Sequence, residues 1–364
     1  MKKLLLILLL LPLLGGVRAE ALLDGTEDDY GASAVREALP EELQELGGEL
    51  RFDGSYDSGG ALERLWRRLL ELLTQRLREA GREAVALMGV TLLCAMGVSL
   101  CSGQKQADYV QIAGCAALAA LVSGGVTSLV GEAFSALTQL DGYAKASLPA
   151  VYTAAAASGA LASASARYAA SCLALDFMMS ASQRLILPLI TAFLAMSICA
   201  SIFENSFLRG AIKICKKAAL LMMTALTLAF TGFLSVTGLV TGSADAAAIK
   251  ATKTVISSVL PVVGGILSDA ASSVLAAAGL VRSTAGAFGL IAVCGFCLSP
   301  FAALAVKRWL FLAASAAAEM TAGDRIARLL SDLSTAMGML IGLVGAYGFM
   351  LFFSFTSAMK AVTG

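Results

Sequence analysis

The sequence predicts an all-α membrane protein. About six transmembrane helices, with further interfacial or re-entrant segments, stand behind a cleavable signal peptide. Of 364 residues 58% are hydrophobic and 15% charged, against about 25% charged in an average soluble domain. Between Ala84 and Met359 uncharged stretches of bilayer-spanning length recur. A secretory-type leader precedes them.

Residues 1–19 form that leader. Lys2 and Lys3 supply the charged end, Leu4–Leu14 an apolar run too short to span, and Val17-Arg18-Ala19 a peptidase-like site. Glu20 onward is thereby expected outside the cytoplasm. Residues 20–60 hold 12 acidic and 2 basic side chains with Gly and Pro punctuation, a composition that favours partial flexibility. Residues 61–83 turn sharply helical: Leu62, Leu65, Trp66, Leu69, Leu70, Leu73 and Leu77 recur at three and four residues. Arg64, Arg67, Arg68, Arg76, Arg78 and Arg82 occupy the other faces, and Glu63 precedes Arg67 by four. Such a basic amphipathic helix can lie on lipid, dock on a partner helix, or pack on the protein's own membrane domain.

Residues 84–364 form the helical membrane domain. Apolar length marks Ala84–Cys101, Tyr109–Gly131, Leu185–Phe203, Ala218–Val240, Ser283–Val306 and Ala336–Met359 as spans. Alternating from outside, they leave three cytoplasmic connections. These carry Lys105, then Arg209, Lys213, Lys216 and Lys217, then Lys307, Arg308, Arg325 and Arg328. The short 204–217 connection carries the clearest positive-inside signal, so Arg209, Lys213, Lys216 and Lys217 are the candidate topology determinants. Both ends of the mature chain then face outward. Two external connections, Asp141–Arg184 and Thr254–Val281, are too long and apolar for loops. They read as interfacial helices, re-entrant hairpins or weakly hydrophobic spans.

A parallel internal repeat, 104–217 and 216–335, is suggested by an offset of 112 residues. It relates Leu148-Pro149 to Leu260-Pro261, Pro188 to Pro300, Lys213 to Arg325 and Lys216 to Arg328. Parallel repeats of this kind build several transport folds.

No histidine is present, which removes the usual general base, proton shuttle and commonest metal ligand. No catalytic, cofactor-binding or metal-binding residues are assigned. Cys294-Gly-Phe-Cys297 has redox-like spacing, but no Lys or Arg within nine residues stands ready to lower a thiol pKa. Gly338, Gly342, Gly345 and Gly348 form a small-residue stripe on the last span, and Gly238 and Gly242 repeat the pattern. In lipid the hydrophobic effect does not drive helices together, so close backbone approach through small residues contributes. These glycines are candidate helix-packing positions, within one subunit or between two. Asp245, Lys250, Lys253 and Asp269 bracket a break at Pro261, Gly264 and Gly265. Charges beside a broken membrane helix either line a binding cavity or face water in interfacial turns.

The run Gly242-Ser-Ala-Asp245-Ala-Ala-Ala-Ile-Lys250-Ala-Thr-Lys253, followed by Leu260-Pro261-Val-Val-Gly264 and Ser268-Asp269-Ala270-Ala271, resembles the stage III sporulation protein AE family. So do Tyr109-Val-Gln-Ile-Ala-Gly114 and the Leu118–Gly125 segment with Ser123-Gly124. The likeness covers nearly all of the mature chain except the acidic segment before Ala61. It implies a multi-pass protein made in the mother cell during engulfment, in the membrane around the forespore. There it would belong to a channel or feeding apparatus related in several components to secretion systems. No catalytic residue comes with that resemblance.

The expected function is a non-enzymatic membrane subunit of a sporulation channel or export complex. It would act by assembly with other membrane subunits, with membrane lipid and a homo-oligomer as further contacts, and without cofactor or nucleic acid. The alternative is a stand-alone secondary transporter with its site at Pro261 and Asp269.

Overall fold

A computed structural model describes residues 58–157, 161–203, 206–259, 264–321 and 323–359. Of these, the side chains at 234–288 and at a few helix ends lie outside the description. The expected signal peptide and the expected acidic segment up to residue 57 are likewise outside it. The described residues are 98% helical, with no strand among them. The helices are α1 (Ser58–Leu100), α2 (Gln104–Ala157), α3 (Leu161–Ala181), α4 (Leu187–Ile202), α5 (Ser206–Val259), α6 (Gly264–Thr321) and α7 (Asp324–Met359). A π-helical turn, Ser182–Ile186, joins α3 to α4. Among the described residues six helices, with α3 and α4 counted as one, are long and apolar enough to cross a membrane. Each contains one of the six expected spans.

The helices are far longer than those spans. At 1.5 Å per residue the 54 residues of α2 reach about 81 Å, against about 30 Å of bilayer hydrocarbon. Helical order therefore continues beyond the apolar stretches. α1 is one unbroken helix of 43 residues, so the amphipathic segment 61–83 and the first span share an axis. Of the connection Asp141–Arg184, residues 141–157 complete α2, and 161–184 form α3 and the start of the π turn. In the other connection, α5 runs to Val259 and α6 starts at Gly264.

One expectation needs correction. Lys307 and Arg308 do not lie in a connection between spans. Both sit inside α6, which continues through Trp309–Ala318 and ends at Thr321. No Gly or Pro interrupts Lys307–Thr321, so nothing stops the helix before the turn at Gly323. Gly323 adopts φ +98°, a conformation nearly reserved for glycine. Its N–H returns to Ala318 O at 3.1 Å.

α7 is the axis of the bundle. Ile326, Leu330, Leu333, Met337, Leu340, Val344, Tyr347, Leu351 and Phe355 recur at three and four residues and are all buried. Leu329, Ala336, Leu343 and Met350 form a second buried stripe at intervals of seven. A helix apolar on several sides belongs inside a bundle, and α2, α3, α4, α5 and α6 all pack on this one. α1 lies outside, on α6 and α2. Ser and Thr hydroxyls are largely satisfied within their own helices: Thr91 donates to Leu87 O at 2.7 Å and Ser147 to Tyr143 O at 2.6 Å. This removes the cost of unpaired hydroxyls in an apolar surround. The π turn precedes Pro188, and the Leu187 N–H reaches back to Ser182 O. Widening the helix there accommodates the proline ring and its missing donor. Pro149 and Pro300 lie inside α2 and α6. The related prolines at 188 and 300 thus have different local backbones.

Candidate functional site

A charged seam lies where α1, α2 and α6 meet. Glu83 of α1 forms an ion pair with Lys307 of α6. About two helical turns away, Arg76 Nη1 lies 3.5 Å from Glu79 and 3.7 Å from Glu132 of α2. These five side chains surround a cavity of about 160 Å³, with Gly125, Ser128 and Ala303 in its wall. Lys307 is the most enclosed, with 16% of its side chain exposed. An ionisable side chain held between membrane-spanning helices is costly unless paired, and here the pairing joins separate helices. The seam places Glu83 and Lys307 at one height. The positive-inside reading had instead put them on opposite membrane faces. The sequence signal for the pair was the apolar run Trp309–Ala318 beyond Lys307, which marks continued helix.

A second polar set ties α2, α3 and α7. Tyr347 Oη donates to Asp141 Oδ1 at 2.7 Å. Lys145 Nζ bridges Asp141 at 2.9 Å and Asp176 at 3.3 Å. Further along, Tyr152 Oη lies 3.1 Å from both Ser171 Oγ and Ser354 Oγ, and Ser354 Oγ donates to Ser171 Oγ at 2.7 Å. Arg167, nearly buried, donates from Nη1 to Ser357 O at 2.6 Å. Every member of these sets has a partner on another helix. They fix register between helices that apolar contact alone would allow to slide.

The basic residues expected to set topology gather at the opposite end of α7. Residues around the α1–α2 turn meet the α6–α7 turn: Gly323 abuts Gln111, and Gly114 abuts Ile326. Asp332 of α7 lies in the combined field of Lys216 and Arg209 of α5 and of Arg328. Arg328 also stands 3.6 Å from Asp324. Lys213, Lys216 and Lys217 are all exposed and Arg209 is half-buried. The four candidate determinants thus divide: Arg209 and Lys216 reach toward Asp332, and Lys213 and Lys217 do not.

The glycine stripe on α7 meets side chains of this same chain. Gly338 lies under the Arg308 guanidinium. A Cβ at Gly342 would stand 3.2 Å from Met223, at Gly345 3.4 Å from Phe301, and at Gly348 2.8 Å from Cys297 Sγ. Cys294 and Cys297 are free thiols, the second buried against this stripe. Gly238, Gly242, Asp245, Lys250 and Lys253 fall on α5, and Gly264, Gly265 and Asp269 on α6; their side chains lie outside the described residues, as does Pro261 altogether.

Comparison with known proteins gives one positive finding. The family model for stage III sporulation protein AE matches residues 55–361 of the 364. No curated protein and no solved structure matches the chain. The match begins three residues before α1 and runs past the end of α7, so it takes in every helix of the bundle: the chain belongs to the stage III sporulation protein AE family.

Proposed function

We propose that this protein is a non-enzymatic integral membrane subunit of the channel or export complex joining mother cell and forespore. It resides in the mother-cell membrane around the forespore and acts by assembly with other membrane subunits. The observation that carries the reading is the family match over the whole helical bundle. The build of the bundle supports it. Charges on facing helices tie the one chain together, as in Glu83–Lys307 and Asp141–Lys145–Asp176. Its outer helices α1 and α5 leave large apolar side chains such as Leu93 and Leu221 exposed to lipid or to neighbouring subunits. The exported start of α1 and the basic end near Lys213 and Lys217 offer contacts on the two sides of the membrane.

The test is deletion of the gene in its own host, with cells imaged through engulfment. Engulfed forespores are expected to shrink or collapse, with late forespore transcription failing. Restoring the full chain rescues both. Normal heat-resistant spores in the deletion strain would overturn the proposal.

A further inference from the structure

A groove runs along the outside of the bundle between α2 and α4, with α7 as its floor. Its volume is about 240 Å³, and Ala119, Val126 and Val130 of α2, Leu194 and Ile198 of α4, and Leu333 of α7 line it. Three hydroxyls on its walls turn to their own backbone: Ser123 donates to Ala120 O, Thr127 to Ser123 O and Thr191 to Pro188 O. The walls are therefore apolar in effect. From Ala119 to Val130 the groove is about 16 Å long. The apolar run Tyr109–Gly131 of α2 covers about 33 Å, and the groove occupies the half of it nearer Glu132. That length matches one leaflet, since the hydrocarbon of a whole bilayer is about 30 Å thick.

One end of the groove is charged. The pairs Lys145–Asp176 and Tyr152–Ser171 set α2 antiparallel to α3. The same register continued into the π turn puts Arg184 level with Thr138, just past the end of the groove at Val130. Arg184 and its neighbour Gln183 are exposed on that turn, between buried Ser182 and Ile186. Arg184 makes no ion pair or hydrogen bond among the described residues, and the 16 residues of α4 that follow carry no charge. A cation left unpaired at the edge of an apolar span draws an anionic partner, and π turns are frequent at functional positions. We propose that the α2–α4 groove binds one anionic phospholipid, an acyl chain lying along it and the headgroup phosphate on Arg184. Width argues against a partner's helix. A volume of about 240 Å³ over about 16 Å gives a mean cross-section of about 15 Å², whereas a helix about 10 Å across needs about 80 Å². The apolar walls argue against a free anion, which gains nothing from them. Basic positions between membrane helices hold anionic headgroups in this manner. The inference is independent of the role in a channel complex.

Lipid retention by the full-length chain tests it. The protein is extracted in mild detergent from vesicles of equal phosphatidylglycerol and phosphatidylcholine, and bound lipid is read by native mass spectrometry. One phosphatidylglycerol per chain is expected, retained severalfold over phosphatidylcholine. Arg184→Gln is expected to abolish that preference. Ala195→Phe, which fills the groove from α4, is expected to lose the lipid altogether, and Ala119→Leu repeats the filling from α2. Arg82→Gln, at another exposed arginine, is expected to change nothing. Circular dichroism establishes that each variant compared keeps its helices. Retention indifferent to Arg184→Gln, an equal loss with Arg82→Gln, or lipid still held by both filled variants would overturn the proposal. So would a two-chain species that Ala195→Phe dissociates, which gives the groove to a second copy. Displacement of phosphatidylglycerol by millimolar inorganic phosphate would also overturn it, in favour of a free anion on Arg184. Because these readouts need no sporulating cell, they stand or fall apart from the deletion phenotype.

Discussion

Single residues in this bundle differ sharply in what surrounds them, and glycines show it best. A Cβ on Gly289 would meet the Phe355 ring at 2.5 Å, and that ring also packs 6.1 Å from Tyr143 between α2, α6 and α7. A Cβ on Gly131 would meet nothing within 4 Å. Gly289→Ala is therefore expected to destabilise by about 1–3 kcal/mol through overpacking. Gly131→Ala is expected to be neutral or to stabilise by about 0.5–1 kcal/mol through helix propensity. Unfolding in detergent, followed by loss of helical circular dichroism, reads both. The Glu83–Lys307 pair makes a different expectation. Lys307 is mostly enclosed, so Lys307→Met strands Glu83, and the double change with Glu83→Met removes both charges at once. The double variant is expected to be more stable than Lys307→Met alone, with a coupling of about 0.5–3 kcal/mol in a double-mutant cycle. Additive effects would show that the two charges do not stabilise the fold together.

At the scale of the helix, burial rather than hydrophobicity separates the elements. α5 and α7 both carry long apolar runs, yet Leu340 of α7 is fully enclosed and Leu221 of α5 is mostly exposed. Leu340→Ala is expected to cost about 2–5 kcal/mol, and Leu221→Ala very little; the same detergent unfolding measures the contrast. Periodicity placed an apolar span inside every crossing helix and a helix over 61–83. It did not reveal that α7 is central, because apolar faces turned to lipid and to protein look alike in a sequence. Nor did it reveal helix length. Hydropathy marks where a helix is apolar, whereas Lys307 and Glu132 continue as helix beside charged partners on other helices, and Asp141 beside Lys145 of its own helix. Those partners lie as many as 224 residues apart, and no local pattern announces them. The glycine stripe at 338–348 was legible as close packing. That Arg308, Met223, Phe301 and Cys297 face it was not.

For the whole molecule the question is orientation, and the division among the four basic residues of α5 makes it testable. If each of the six long apolar helices crosses once, the start of α1 and the end of α7 lie on one side. The turn near Gly103 and the turn at Gly323 meet on the other. The positive-inside rule assigns that second side to the cytoplasm through Arg209, Lys213, Lys216 and Lys217. Arg209 and Lys216 also lie in the field of Asp332, so neutralising them perturbs the fold together with the topology signal. Lys213 and Lys217 are not among the charges acting on Asp332, which frees them to act on orientation alone. Lys213→Gln with Lys217→Gln is therefore expected to yield a folded protein with mixed orientation, seen as reporter fusions at Gly103 and Gly323 reading on both sides. Arg209→Gln with Lys216→Gln is expected to lower yield and thermal stability, with the surviving protein oriented normally. Restoring neutrality with Asp332→Asn in that second variant should recover part of the lost yield, because the stranded carboxylate is gone. If the first pair leaves every fusion cytoplasmic at normal yield, α5 does not orient the bundle. The signal would then belong to Arg325 and Arg328 at the start of α7.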